Sequence, residues 1–266
     1  MAFIEQCVHE LPYMTAPNIS AVHAFTTRHG GVSQGVLASL NLGLTRGDSL
    51  DALKENYRRI CRILQISDGD IVRRGQIHGT CVEVVTHRDC GDIYSADKPK
   101  ADGLITNVPG IALMVYAADC VPMLLCDAET GVVGAVHAGW RGTALDIAGE
   151  AVRKMESVFG CRNISAAIGP SISKCCFETD GDVPSALHKS LGNMAGSCVE
   201  RLGEKFMVDL KAANRLMLLR AGVLPENIIV SDECTSCSCD KYWSHRRTNG
   251  DRGSQAAIIV LRGTDL

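Results

Sequence analysis

Apolar residues follow two rhythms in this sequence. Between Ser49 and Gln65, Leu53, Tyr57, Ile60 and Leu64 recur at i, i+4, i+7 and i+11, which puts them on one face of an α-helix, with Asp48 placed to cap its start. A second helix is predicted from Thr143 as cap to Phe159, where Gly160 stops it, with Leu145, Ala148, Val152 and Met155 on its buried side. Asp209 opens a third, which ends near Gly222. Between them lie apolar runs of strand length: AVHAFTT, CVEVV, IALMVY, GVVGAVH, ISAAI, NIIV and QAAIIVL. Their order is too irregular for a Rossmann alternation, and no GxGxxG or GxxxxGK[ST] follows a strand, so a nucleotide cofactor has no support. The expected class is α+β, a mixed α/β sheet sandwich. No repeat or linker divides the chain, and residues 1–266 are expected to form one catalytic domain.

Composition narrows the partners. A chain of 266 residues that is 46% hydrophobic can bury a substantial core without staples. A net charge of -3 gives neither nucleic acid nor an anionic membrane any attraction, which leaves small molecules. The most apolar stretch, Ile111 to Cys126, is broken by Asp119 and Pro122, so no transmembrane helix is expected. The start, MAFIEQCVHELPYM, lacks the basic region of a signal peptide. Thirteen scattered cysteines, an odd number, fit reduced thiols and a cytoplasmic location better than a disulfide framework.

Three predicted strand ends place a metal-ligand type beside a glycine or turn former: QIHG, AADCVP and VHAGWRG, which offer His78, Cys120 and His137. Two imidazoles and a thiolate suit zinc, and three protein donors leave a fourth position open for water or substrate. Two other readings stay open: Cys120 as a nucleophile with His137 as its base, and a non-catalytic metal-binding module. Arg141 precedes Gly142 and the expected cap Thr143, which would set its charge beside a helix N-terminus and make an anion corner. Arg28, ahead of the glycine pair in TTRHGGVSQG, could reach the same anion. The CTSCSC segment from Cys234 to Cys239 needs a partner pair to close a tetrahedral site, and only the adjacent Cys175 and Cys176 offer one, so structural zinc there is the weaker reading. Copper-oxidase chemistry is disfavoured, because none of the eight histidines forms an HxH pair.

At these motifs the sequence resembles the laccase-domain or YfiH-type proteins, a family first classed as multicopper polyphenol oxidases and since recognised as zinc-dependent purine nucleoside enzymes. The resemblance runs from TTRHGGVSQG and SLNLGLTRGD, through GQIHG, ADGLITNVPGIAL, AADCVPMLL and AVHAGWRG, to IGPSISKCCFE and YWSHRR. It implies that His78, Cys120 and His137 hold zinc. It implies phosphorolysis of adenosine, inosine, guanosine and methylthioadenosine to base and ribose-1-phosphate, with adenosine deamination as a second activity, on an α/β sandwich. Arg141, Arg28 and Cys176 are then the candidate catalytic residues, and Asn41 and Gln76 the candidate substrate contacts. Peptidoglycan-precursor editing is a different role reported in the wider family. Two departures, Ser171 in IGPSI and the GDRGSQA segment in place of a TGR-type pattern, put the substrate contacts of those loops in question.

Overall fold

A computed structural model describes residues 2–95 and 98–263. Strands whose alternate residues are apolar on both sides must be covered on both faces, and the chain meets this demand with two stacked sheets, each backed by helix. In one sheet the strands run in the order Ile4–Val8, Leu11–Thr15, Val22–Thr26, Gln255–Val260, Ala112–Ala117 and Ile71–Val72. In the other the order is Ile228–Val230, Ser165–Ile168, Val121–Asp127, Val132–Ala138, Gly103–Thr106 and Val82–Val84. A small sheet of Glu178–Thr179, Lys205–Val208 and Val199–Leu202 stands apart.

Between the large sheets, Phe25, Leu113, Val115 and Ile259 of the first meet Leu124, Val133, Ala135 and Ala167 of the second. The outer face of the first sheet is closed by the Leu50–Leu64 helix, whose Tyr57, Ile60 and Leu64 lie against Ala24, Met114 and Ile258. Helices Ile147–Phe159, Asp182–Leu191 and Leu210–Arg220 close the outer face of the second, with Val152, Leu187 and Met217 over Met123, Leu125 and Val136. The expected α/β sandwich is thus found with four layers. No described helix is long and apolar enough to cross a membrane.

Seven of the strands follow the predicted runs, and the first and third helices follow their predicted spans. The caps differ. Ser49, not Asp48, caps the first helix by accepting from Ala52 N at 3.1 Å. The Asp48 carboxylate instead takes Ser33 Oγ at 2.6 Å and Asn41 Nδ2 at 2.9 Å. The second helix does not start at Thr143: a five-residue turn, Trp140–Ala144, precedes it, and Asp146, in the left-handed region at φ 65°, caps Ile147–Phe159 by accepting from Gly149 N. Leu145 falls in the break and is 64% exposed, not buried as the periodicity predicts. Thr143 is fully buried, and its hydroxyl accepts from Asn214 Nδ2 at 2.9 Å.

Candidate active site

The site forms where the two large sheets meet at one end. Antiparallel pairing of Val121 with Ala138 and of Pro122 with His137 sets Cys120, just before its strand, beside the end of the strand that carries His137. His78 arrives on the loop that leaves the edge strand Ile71–Val72, in the left-handed region at φ 61°. One buried carboxylate fixes this loop. Asp102 is fully buried, and its oxygens accept from the backbone N–H groups of Ile77, His78 and Gly79 at 2.8–3.2 Å. The same carboxylate lies 2.9 Å from His137 Nδ1. With Nδ1 engaged, Nε2 of His137 is the nitrogen left to bind.

His78, Cys120 and His137 bring their donor atoms within 4.8 Å of one another, and His78 Nε2 lies 3.8 Å from Cys120 Sγ. Burial opposes charge on Cys120, but the attraction and hydrogen bond of His137, reinforced by His78, prevail and hold its thiol down at about 6. Burial likewise opposes charge on His137, but Cys120 and Asp102 push that imidazole up to about 9. Each of the two groups thus favours the charged form of the other. Gly139 is required here: a Cβ at this position would lie 2.4 Å from the His78 ring and 3.4 Å from Cys120 Sγ, in the space between the donors. Two imidazoles and a depressed thiol around a glycine-lined gap fit a divalent metal with one open position.

A cleft of two lobes opens over these donors: His78 and Cys120 face both lobes, and His137 faces the first. One lobe, about 300 Å³, is lined by Arg46, Gln76, Tyr116, Arg252 and Ser254. The other, about 350 Å³, is lined by Trp140, Ile172, Phe177, Leu210 and Arg246. Arg46 and Arg252 border both lobes. Neither has a carboxylate partner among the described residues. Burial, followed by repulsion from Arg46, lowers the Arg252 guanidinium to about 10, and its Nε is buried without a partner. Two such cations in one pocket favour an anion between them.

The sequence candidates divide among several places. His78, Cys120 and His137 come together. Gln76 lines the cationic lobe, but its amide is engaged with the Tyr116 backbone, accepting from N at 2.7 Å and donating to O at 2.9 Å. Asn41 is fully buried beneath that lobe, where its oxygen accepts from Gly43 N and Ser254 N. The expectation that Arg141 and Arg28 share one anion corner is corrected. Arg141 lies in the short Trp140–Ala144 turn with its guanidinium 4.3 Å from the Trp140 ring centroid, and lines neither lobe. Arg28 donates to the Cys239 and Ala38 carbonyls, both at 2.8 Å, and stacks over Trp243. Cys176 sits in a second cluster with Cys175, Cys234 and Cys237, so the partner pair that CTSCSC needs is present in space.

Asp102, Arg46 and Arg252 are the residues that sequence reasoning missed. Each stands inside a segment singled out for other reasons, ADGLITNVPGIAL, SLNLGLTRGD and GDRGSQA. The signal they share is a charge immediately before a glycine.

Three donors with an open side under a two-lobed cleft define the site of an enzyme that works on small molecules. The family model described as multi-copper polyphenol oxidoreductase laccase matches residues 22–262, and the chain belongs to that family. The chain is 39% identical over 252 residues to purine nucleoside phosphorylase YlmD of Geobacillus stearothermophilus, covering 92% of each chain. A crystal structure of YlmD from that organism superposes with a TM-score of 0.93 at 37% identity, over 99% of this chain and 100% of the other. A purine nucleoside phosphorylase of Deinococcus radiodurans is 39% identical over 254 residues, 94% of this chain and 93% of its own. Adenosine deaminase RL5, from an unknown prokaryotic organism, is 35% identical over 251 residues, 90% of this chain and 93% of its own. Among the described residues the donor groups able to hold an ion are the His78 triad and the four-cysteine cluster, and neither is the histidine-rich set that multicopper chemistry needs.

Proposed function

We propose that the protein is a zinc-dependent purine nucleoside phosphorylase that also deaminates adenosine, with inosine, guanosine and methylthioadenosine among its substrates. The observation that carries this reading is a donor triad at the floor of the cationic lobe, of which His78 and Cys120 also face the aromatic one. The names of the relatives support it. In this reading the protein works in the cytoplasm, whose reducing conditions suit thirteen unpaired cysteines. Residues 1–266 act as one catalytic domain in this reading.

Zinc bound by the triad would supply a Lewis acid and lower the pKa of a bound water. The chain's residues divide the remaining work. Trp140 and Phe177 offer ring faces to the purine, and Arg141 stacks on the Trp140 ring. Arg46 and Arg252 hold phosphate, whose oxygen attacks the anomeric carbon as the bond to the base breaks. Gln76 keeps Tyr116 and the His78 loop in register, and Asn41 keeps Gly43 and Ser254 in place under the phosphate.

The test compares two reactions on one variant. Arg252→Ala is expected to lower phosphorolysis of inosine roughly 30-fold, the loss of one charge-assisted contact of about 2 kcal/mol, and to act mainly on the KM for phosphate. Adenosine deamination uses water and should change far less. Arg141→Ala should leave phosphate dependence intact. Absence of free base from any nucleoside, with and without phosphate, in zinc-loaded protein overturns the assignment.

A second reading has its own observation. A thiol held at about 6 beside an imidazole backed by Asp102 is also the arrangement of a cysteine nucleophile. This hydrolase reading includes the editing of peptidoglycan precursors. It predicts a turnover-competent covalent adduct on Cys120, detectable by mass spectrometry, whereas the zinc reading predicts none.

A further inference from the structure

Four cysteines outside the cleft converge on one point. The Ser165–Ile168 and Ile228–Val230 strands pair in parallel and send the chain into two adjacent loops. The pairing continues beyond the strands, through a bridge between Ser171 and Cys234 and a bond from Thr235 N to Ser171 O at 3.1 Å. One loop carries Cys175 and Cys176 and the other Cys234 and Cys237. Cys237 Sγ lies 3.6 Å from Cys175 Sγ and 3.4 Å from Cys176 Sγ, the latter two are 3.8 Å apart, and all four sulfurs lie within 4.8 Å of one another.

These spacings discriminate between two chemistries. A disulfide needs sulfurs about 2.05 Å apart, and all four are free thiols. Four sulfurs at about 2.3 Å from a central zinc form a tetrahedron with edges of about 3.8 Å, close to the separations found. The backbone is arranged for thiolate as well. Ser173 N donates to Cys234 Sγ at 3.3 Å, and the N–H groups of Ser236 and Cys237 face the same sulfur. Buried Lys211, whose ammonium donates to Ser231 O and Glu233 O at 2.8 Å, sets a positive charge behind the loop. We propose that Cys175, Cys176, Cys234 and Cys237 form a second metal site that holds one zinc ion in a closed, all-sulfur shell.

Its position gives it a task. Ile172 N donates to Asp119 O at 2.9 Å, and Thr235 Oγ1 donates to Asp119 Oδ1 at 2.7 Å, so both loops hold the residue that precedes Cys120. The Arg246 guanidinium donates to the carbonyls of Cys176 and Glu178. Ile172, Phe177 and Arg246 are one wall of the aromatic lobe. The second ion ties this wall together without touching substrate.

The experiment is a metal count on protein purified without added metal. Wild type should carry two zinc equivalents per chain. The His78→Ala His137→Ala variant, emptied at the first site, should retain one, with an X-ray absorption spectrum of four sulfur neighbours at about 2.3 Å and no nitrogen. Cys175→Ser Cys237→Ser should also retain one, with a raised KM for nucleoside. A folded His78→Ala His137→Ala variant without zinc overturns the proposal, as does a disulfide among the four cysteines in rapidly alkylated protein. Nitrogen or oxygen in the shell, or iron in place of zinc, also overturns it. Should the cysteine variant fail to fold, the histidine variant decides alone.

Discussion

Position 139, two residues after His137, must be glycine because a single added methyl group would press on His78 and Cys120. Gly139→Ala is therefore expected to destabilise the protein by about 1–3 kcal/mol and to lose the triad's metal equivalent, read by thermal melting and a metal count on the same preparation. Asp102 is the second sensitive position. Asp102→Asn keeps the shape but replaces an oxygen that accepts backbone N–H bonds with an NH₂ group that cannot, and should weaken metal binding about 10–100-fold in competition with a chromophoric chelator. The sign of the pH dependence follows from the pair the metal displaces. His137, raised to about 9, and Cys120, lowered to about 6, must both be unprotonated to ligate. Between those values one proton leaves His137 on binding, so affinity should rise about tenfold per pH unit, more steeply below about 6, and level off above about 9. A titration on Cys175→Ser Cys237→Ser, where this site alone reports, checks it; pH-independent affinity sinks the coupled pair. The three donors were legible because each is a ligand type close to a glycine or turn former; Cys120 and His137 border strands as expected, whereas His78 lies on a loop and not at a strand end. Asp102 was not legible, since its role depends on three N–H groups from a loop more than twenty residues earlier.

The helices and strands show where periodicity suffices and where it does not. Leu53, Tyr57, Ile60 and Leu64 marked a face that the structure buries, and QAAIIVL marked a strand covered on both sides. The strand Val121–Asp127, inside its sheet, is not among the predicted runs; it carries Pro122 as its second residue, where a missing N–H costs little pairing. The helix after the site begins three residues later than its pattern predicts, capped by Asp146 and not Thr143, with a separate turn before it. Thr143 and Asp146 are both cap types, and the choice between them is made by burial of Thr143 against Asn214, which local sequence does not encode. Asp146 also pairs with Arg153 at 3.2 Å and Arg220 at 3.0 Å, joining two helices of the outer layer. Asp146→Ala removes the cap from a residue at positive φ and should cost about 1–2 kcal/mol of unfolding free energy, measured by denaturant titration. Metal content should not change, because the break lies outside the donor set; metal loss would show that the turn and the site are coupled.

The layering of the chain would make a metal held by the triad a tie between its two sheets. His78 follows an edge strand of one sheet, His137 ends a strand of the other, and Cys120 lies on the connection that passes between them. A site with donors from both sheets exists only when the sandwich is closed, so an ion that binds it binds the folded state alone. At free zinc of about 100 times the dissociation constant this adds about 2.7 kcal/mol to stability. For a chain of this size, that is roughly 5–10 °C in melting temperature. Wild type should therefore melt higher with zinc than after chelation. The His78→Ala His137→Ala variant should lose that part of the shift due to the inter-sheet site and keep the part due to the four cysteines. Cys175→Ser Cys237→Ser should show the reverse. If the histidine variant keeps the whole shift, the triad does not bridge the sheets through an ion. If chelation leaves the wild-type melting temperature unchanged, neither ion is linked to folding.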